Sequence, residues 1–368
     1  MTLIETNYNK YGEISTFMKL RYYFYKKNEV KIFNNISLKK YNTFGLNYIA
    51  KLLILVHTEE ELTDFLKKRG DGNELLLIMG GGSNILFTED FHGTIVYPAI
   101  EGIQIEEENE VSVIISVGAG VNWDSLVEWC VGSGFGGFEN LSLIPGNAGA
   151  TPIQNIGAYG VEIKDHIEKV RTVSIVDGTI REFSKNECRF GYRDSIFKNE
   201  LKGKYLVTKV YYNLSKNSDL NLGYGALKVE TEKLGPLTLE NVRQAVINIR
   251  RSKLPDPEIT GNAGSFFKNP VVNSSIAAKL KIEYPAMPSY IDPSGDTKLA
   301  AGWLIEQCGW KGKKSGGAAV HDKQALVLIN NGNATGKEIF ELSEKIRQSV
   351  YETFSVELMR EVEVIGPI

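Results

Sequence analysis

The chain should fold in the α+β class, as two small α/β units followed by a third, C-terminal α+β unit. Three observations predict this. Its 368 residues exceed what one hydrophobic core usually serves. Short apolar runs alternate with helical patterns in the first hundred residues and again after Gly102. The run Lys253-Leu-Pro255-Asp-Pro257 then reads as a linker, because two prolines interrupt regular structure.

In chain order, residues 1–33 are polar and aromatic-rich without periodicity, and read as a poorly ordered extension. Leu52–Val56 is an apolar strand candidate. Glu59–Lys68 is a helix through Leu62, Phe65 and Leu66. Leu75–Met79 is a strand that runs directly into Gly80-Gly81-Gly82-Ser83-Asn84. Ile85–Phe87 and Thr94–Val96 are short strands. In the second unit, Val111–Val117 alternates as a strand, and Asn122–Val131 reads as a helix capped by Asn122. Val170–Val176, Asp177-Gly178 and Thr179–Phe183 form a predicted hairpin, and Tyr205–Leu214 is a further strand. In the third unit, Ser275–Leu280 and Ala300–Cys308 read as helices. Gly336–Phe354 places Ile339, Leu342, Ile346, Val350 and Phe354 on one helical face. A last strand is expected over Val356–Ile365.

Composition excludes several function classes. Hydrophobic residues make up 42% and charged residues 24%, and the net charge of −3 leaves no electrostatic footprint for nucleic acid. No apolar run reaches the ~20 residues that span a bilayer, and the N-terminus has no secretory pattern, so a cytoplasmic protein without membrane insertion is expected. Cys130, Cys188 and Cys308 are widely spaced and read as small buried hydrophobes. The four histidines, His57, His92, His166 and His321, have no metal-ligand spacing, so no metal is expected.

Three glycine-rich stretches compete as ligand sites. Gly132-Ser-Gly134-Phe-Gly136-Gly137 has G-x-G-x-x-G spacing but follows a helix instead of a strand, so it reads as a helix stop. Gly80–Asn84 follows a strand directly, and its successive N–H groups suit an anion nest; a plain turn has about equal claim. Leu143–Gly160 is long, apolar and nearly uncharged. Its backbone donors suit a diphosphate and a flat ring better than a surface loop would.

Taken together, Tyr41-Asn-Thr-Phe-Gly45, Gly80–Asn84, Ile144–Gly160, Gly191-Tyr-Arg-Asp-Ser195, Lys253–Pro257, Gly261–Pro270, Ala300–Ile305 and Gly316–His321 resemble the UDP-N-acetylenolpyruvoylglucosamine reductases. The resemblance runs from about Asn34 to Gly366. It implies an FAD-binding part of two subdomains, 34–100 and 101–254 with 355–368, and a substrate domain at 255–354. The last strand would return to the second subdomain. It implies that NADPH reduces a non-covalent FAD, since the loop from Ile144 to Gly160 has no histidine for a tether. The reduced flavin then passes hydride to UDP-N-acetylglucosamine enolpyruvate, giving UDP-N-acetylmuramate for peptidoglycan. A monomer is expected.

The resemblance also implies roles for individual residues. FAD would be held by Gly80, Gly81, Gly82, Ser83 and Asn84, and by Pro145, Gly146, Gly149, Ala150, Gln154, Asn155, Gly157, Tyr159 and Gly160. Arg193 would face the charge that develops on the substrate carboxylate. Glu361 would assist it, either protonated or paired with Arg193. Ser265 would donate the proton. Tyr224, Lys253, Asn269, Lys311 and Gln324 would contact substrate, with Tyr224 on a segment that closes over it. Two other readings compete: an FAD oxidase of the same architecture, and a UDP-sugar-binding protein without activity.

Overall fold

The computed structural model describes residues 30–69, 75–217, 219–292 and 294–367. The first unit opens with β1 (Lys31–Ser37), antiparallel to β2 (Ile49–Val56), Lys31 facing Leu55 and Ser37 facing Ile49. Helix α1 (Glu59–Arg69) begins with three glutamates and ends with Lys67, Lys68 and Arg69, the arrangement its backbone dipole favours. Strands β3 (Leu76–Ile78), β4 (Ile85–Phe87) and β5 (Phe91–Pro98) follow, and the sheet runs β1-β2-β5-β3 with its last three strands parallel. The extension expected at 1–33 is therefore too long by at least three residues. Lys31–Phe33 are ladder-paired with Leu53–Leu55 of β2, as the edge strand of the sheet. Residues 1–29 lie outside the described residues.

The second unit is an antiparallel five-stranded sheet in the order β11-β10-β12-β7-β6. Its strands are β6 (Ile103–Glu108), β7 (Ser112–Gly118), β10 (Ile167–Ser174), β11 (Ile180–Ser184) and β12 (Tyr205–Ser215), with the short pair β8 (Gly157–Ala158) and β9 (Val161–Glu162) between. Helix α2 (Trp123–Gly132) starts on Asn122, whose side chain accepts from the Ser125 N–H. It stops where Gly134 takes φ +75° and Phe135 donates back to the Cys130 carbonyl, as the glycine-stop reading expects. Two helices were not anticipated, α3 (Leu227–Leu234) and α4 (Leu239–Lys253). Yet α4 buries Val242, Ala245, Val246 and Ile249 at helical spacing.

The third unit holds two small sheets and three helices. Strands β13 (Asn262–Ser265), β17 (Lys314–Ser315), β18 (Ala318–Val320) and β19 (Val327–Asn330) form one sheet. Strands β14 (Val271–Val272), β15 (Ser289–Ile291) and β16 (Thr297–Leu299) form the other. Helices α5 (Ser274–Glu283), α6 (Ala301–Gln307) and α7 (Gly336–Phe354) pack around them. The capping box of Thr335 and Glu338 opens α7.

The chain end departs from expectation twice. Only β20 (Glu363–Ile365) is a ladder strand; residues 356–362 run irregularly, with Val356, Leu358 and Val362 buried in the third unit's core. The strand also does not return to the second unit's sheet. It pairs in parallel with β4 of the first, Glu363 facing Ile85. Side chains of the chain end reach the second unit through Arg193–Glu361 and Lys202–Glu363.

The units are joined by named contacts. Glu59 of α1 takes three hydrogen bonds from Arg171 and one from Thr208 of the second sheet. The Tyr41–Gly45 motif is a joint. Asn42 ties the Leu38 and Leu46 carbonyls, the Thr43 N–H donates to the Gly82 carbonyl, and the Thr43 carbonyl accepts from Asn262. That segment therefore fixes the glycine loop against the third unit. No helix among the described residues is long and apolar enough to cross a membrane.

Candidate active site

The glycine loops meet face to face. Strand β3 delivers Gly80–Asn84 against Pro145–Gln154, and Ser83 donates to the Pro145 carbonyl at 2.9 Å. The contact is backbone on backbone. A Cβ on Gly81 would stand 3.1 Å from Gly146 Cα, and one on Gly82 (φ +64°) would overlap the Tyr41 carbonyl oxygen. Asn84 then reaches across, donating to Gln154 Oε1 at 3.0 Å and to the Glu361 carbonyl at 3.1 Å.

The donors are not distributed as the sequence suggested. Among the described residues, the five N–H groups from Gly80 to Asn84 have no protein acceptor. In the second loop, the N–H groups of Ala148, Gly149, Ala150, Thr151, Ile153 and Ile156 are spent on backbone carbonyls. That loop is a scaffold over much of its length. Asn155 belongs to it: fully buried, it holds Gly191, Glu162 and Lys164 through its side chain. Tyr159 (φ +49°) and Gly160 (φ +82°) complete the rim, their backbone held by Asn140 and Asn221. This cradle fits FAD: consecutive unspent donors suit phosphate oxygens, and the missing Cβ atoms leave room for close approach.

The second half of the site is built from charged side chains. Gly191 and Asp194 close a tight turn that puts Arg193 at φ +52°, a conformation a β-substituted residue holds only when its surroundings force it. The guanidinium donates to the Asn155 carbonyl (3.3 Å) and the Gly157 carbonyl (2.5 Å) and pairs with Glu361 at 3.0 Å. Of the two arrangements expected for Glu361, the geometry has it in contact with Arg193. Its neighbours Glu357 and Glu363 are engaged elsewhere, with Arg347 and Lys202. Ser265 ends β13, and the next residue, Phe266, accepts from the Glu361 N–H at 2.8 Å, so Ser265 and Glu361 lie on adjoining chains. Arg193, Ser265 and Glu361 thus converge from three distant segments.

Two lysines stand beside the centre: Lys268, which with Asn269 reads from the sequence as suited to polar recognition of substrate, and Lys198, which the sequence reading missed. Lys198 donates to Gln154 Oε1 at 3.3 Å, and Lys268 to the Arg193 carbonyl at 3.3 Å. Burial and then the Lys268 charge hold the Lys198 amine below the usual lysine range, against the pull of Glu361. One cation, Arg193, thus pairs with Glu361, while Lys198 and Lys268 stand beside that pair on Gln154 and the Arg193 carbonyl, and this local cluster of cations suits an anionic ligand. Lys198 sits three residues beyond the Gly191–Ser195 motif, so its place was the available signal.

The substrate residues are placed less uniformly. Asn269 spends its Oδ1 on the Ala301 N–H, at the start of α6, and bonds Tyr192; Gln324 borders Gly302 in the same turn. Tyr224 is exposed and stands edge-on to Tyr159 at 5.8 Å, with Gly223 and Gly225 on either side. Lys253 is exposed at the end of α4, and Lys311 is paired with Glu306 at 2.9 Å. Neither bonds the Arg193–Glu361 centre.

Comparison with known proteins decides the family. Residues 50–184 match the profile described as FAD binding domain, and residues 256–365 match that of the UDP-N-acetylenolpyruvoylglucosamine reductase C-terminal domain. The UDP-N-acetylenolpyruvoylglucosamine reductase of Flavobacterium johnsoniae is 46% identical over 339 residues, covering 91% of this chain and all of its own. The chain belongs to the UDP-N-acetylenolpyruvoylglucosamine reductase family. The same-named protein of Bacteroides fragilis is 46% identical over 89% of this chain and 98% of its own. The crystal structure of that reductase from Thermus caldophilus has the same fold, with a TM-score of 0.62 and 24% identity over 92% of this chain and 99% of that one. The matched stretches hold both glycine loops and the Ser265 and Glu361 segments, while Arg193 and Lys198 fall between them.

Proposed function

We propose that this chain reduces UDP-N-acetylglucosamine enolpyruvate to UDP-N-acetylmuramate, with FAD bound in the glycine cradle and NADPH as reductant. Family membership supports the overall reaction. The observation that carries the assignment of roles is the meeting of Ser265, Glu361 and Arg193 beside that cradle. The bound flavin, once reduced by NADPH, supplies hydride to the enolpyruvyl double bond. Arg193 and Lys198 face the negative charge that then grows toward the carboxylate. Glu361 fixes the Arg193 guanidinium in place, and Ser265 gives the proton to the carbon next to the carboxylate. A hydroxyl is a weak acid, so this works only against a strongly basic carbon and in close alignment. Asn269 and Gln324 act as positioning residues at the start of α6. Lys253 and Lys311 reach substrate only after a change in side-chain position, and Tyr224 closes over it. The protein works as a cytoplasmic monomer.

Ser265→Ala tests this reading. Anaerobic stopped-flow absorbance separates the half-reactions: NADPH should bleach the flavin at close to the wild-type rate, while reoxidation by the enolpyruvyl substrate should fall at least ~10²-fold. Equal slowing of both halves would reduce Ser265 to a turn residue. A purified chain that takes up no FAD would sink the whole reading.

A further inference from the structure

Arg250 lies outside both matched stretches, and none of the roles above uses it. Helix α4 places Arg243 and Arg250 seven residues apart, two turns along one face. Arg243 is satisfied, pairing with Asp124 through bonds of 2.7 and 3.1 Å. Asp124 also takes the Leu143 N–H, so both its oxygens are engaged. Arg250 is not satisfied. Its Nε is buried without a hydrogen-bond partner. The groups that act on it are the Tyr159 phenol, the already engaged Asp124, and the like charge of Arg193. Burial works against its charge, yet a guanidinium keeps its proton, so the cost stays with the folded chain until an acceptor arrives.

We propose that Arg250 is a ligand-binding residue, donating to an anionic oxygen of a bound ligand at the rim formed by Tyr159 and Arg193. Two ligands of the proposed reaction carry such oxygens, FAD and the enolpyruvyl UDP-sugar, and the inference rests on that reading. Arg250 supplies the donor from beneath the rim, as Arg193 does from the Glu361 side. It also explains a cation with a sealed, unpartnered Nε on a helix whose buried residues are mainly apolar.

The test compares full-length wild type with Arg250→Met and Arg250→Lys. FAD affinity is read by titrating FAD-stripped protein and following flavin fluorescence. Substrate affinity is read from flavin absorbance as the oxidised holoprotein is titrated with UDP-N-acetylglucosamine enolpyruvate. Loss of a charge-assisted hydrogen bond should weaken one of the two by at least ~10-fold in the Met variant. The Lys variant keeps the charge but loses the Nε donor, and should lose about threefold or more on the same ligand. FAD-stripped Arg250→Met should melt no lower than FAD-stripped wild type, since a buried donor without a partner has gone. Weaker FAD binding identifies the flavin as the source; weaker substrate binding at unchanged FAD affinity identifies the sugar nucleotide. Both affinities within twofold of wild type, in the Met variant or, should that not fold, in the Lys variant, would overturn the proposal. Wild type that binds neither ligand would instead refute the proposed function.

Discussion

The two halves of the site solve binding by different means. The cradle at Gly80–Asn84 and Gly146–Gly160 uses backbone: glycines that cannot carry a Cβ, and five successive N–H groups with no protein acceptor among the described residues. The centre around Arg193 uses side chains: Arg193 paired with Glu361, and Lys198 and Lys268 held beside them by the Gln154 amide and the Arg193 carbonyl. The difference teaches where each half is fragile. A backbone site fails by shape, because any added atom collides. A side-chain site fails by charge, because removing one partner leaves another buried and uncompensated.

The largest effect should come from the cradle. Gly82→Ala puts a methyl into the Tyr41 carbonyl at a φ that L-residues avoid, so the loop must move. Equilibrium dialysis should show FAD binding weakened ~100-fold or more, a cost of about 3 kcal/mol. A Gly82→Ala protein that stays fully yellow would break the claim that this half is built from backbone.

The centre should behave as a coupled pair. Arg193→Met and Glu361→Gln should each slow flavin reoxidation by substrate, by roughly 10²-fold or more, while NADPH oxidation changes little. The double variant should lose less than the product of the two, since the second change removes a charge already left unpaired. Fully multiplicative losses would mean the two residues act apart despite their 3.0 Å contact.

The smallest effect belongs to the joint between the halves. Gln154 Oε1 accepts from Asn84 of the cradle and Lys198 of the centre. Gln154→Leu should weaken FAD binding and slow substrate reduction by a few-fold each, the scale of one or two ordinary hydrogen bonds. A change confined to one half would show that the halves are independent.

Much of this was legible in the sequence. Periodicity marked α7 to the residue, and the Asp177-Gly178 hairpin formed where its turn required. Local signals reach local structure, and these elements are set by spacing and turn chemistry. Helix α4 carried the same kind of signal in Val242, Ala245, Val246 and Ile249 and was passed over, as was the Thr335–Glu338 box. The pairing of β20 with β4 was beyond such signals, because nothing local to Glu363 specifies Ile85. In the site, glycine spacing located both loops but could not say whose donors were already spent. That depends on Val121 and Ala119 supplying carbonyls to Ala148 and Gly149. Lys198 and Arg250 were missed because a cation in a sequence gives no hint of which partners the fold sets around it.

The closing segment also bears on how the molecule is made. Asn84 waits for the Glu361 carbonyl across 277 residues, and Tyr48 for Gly336 across 288. Synthesis delivers residues at ~5–20 per second, so on the order of half a minute separates the glycine loop from its partner. Until then β4 has no β20 beside it, and Leu86 and Phe87 lack the cover they have in the finished core. A nascent chain can order its first sheet early, but its active centre is assembled last, across contacts of the highest sequence separation. A stalled or clipped chain lacking only its final residues would therefore lack the Arg193–Glu361 pair and leave β4 without its partner strand.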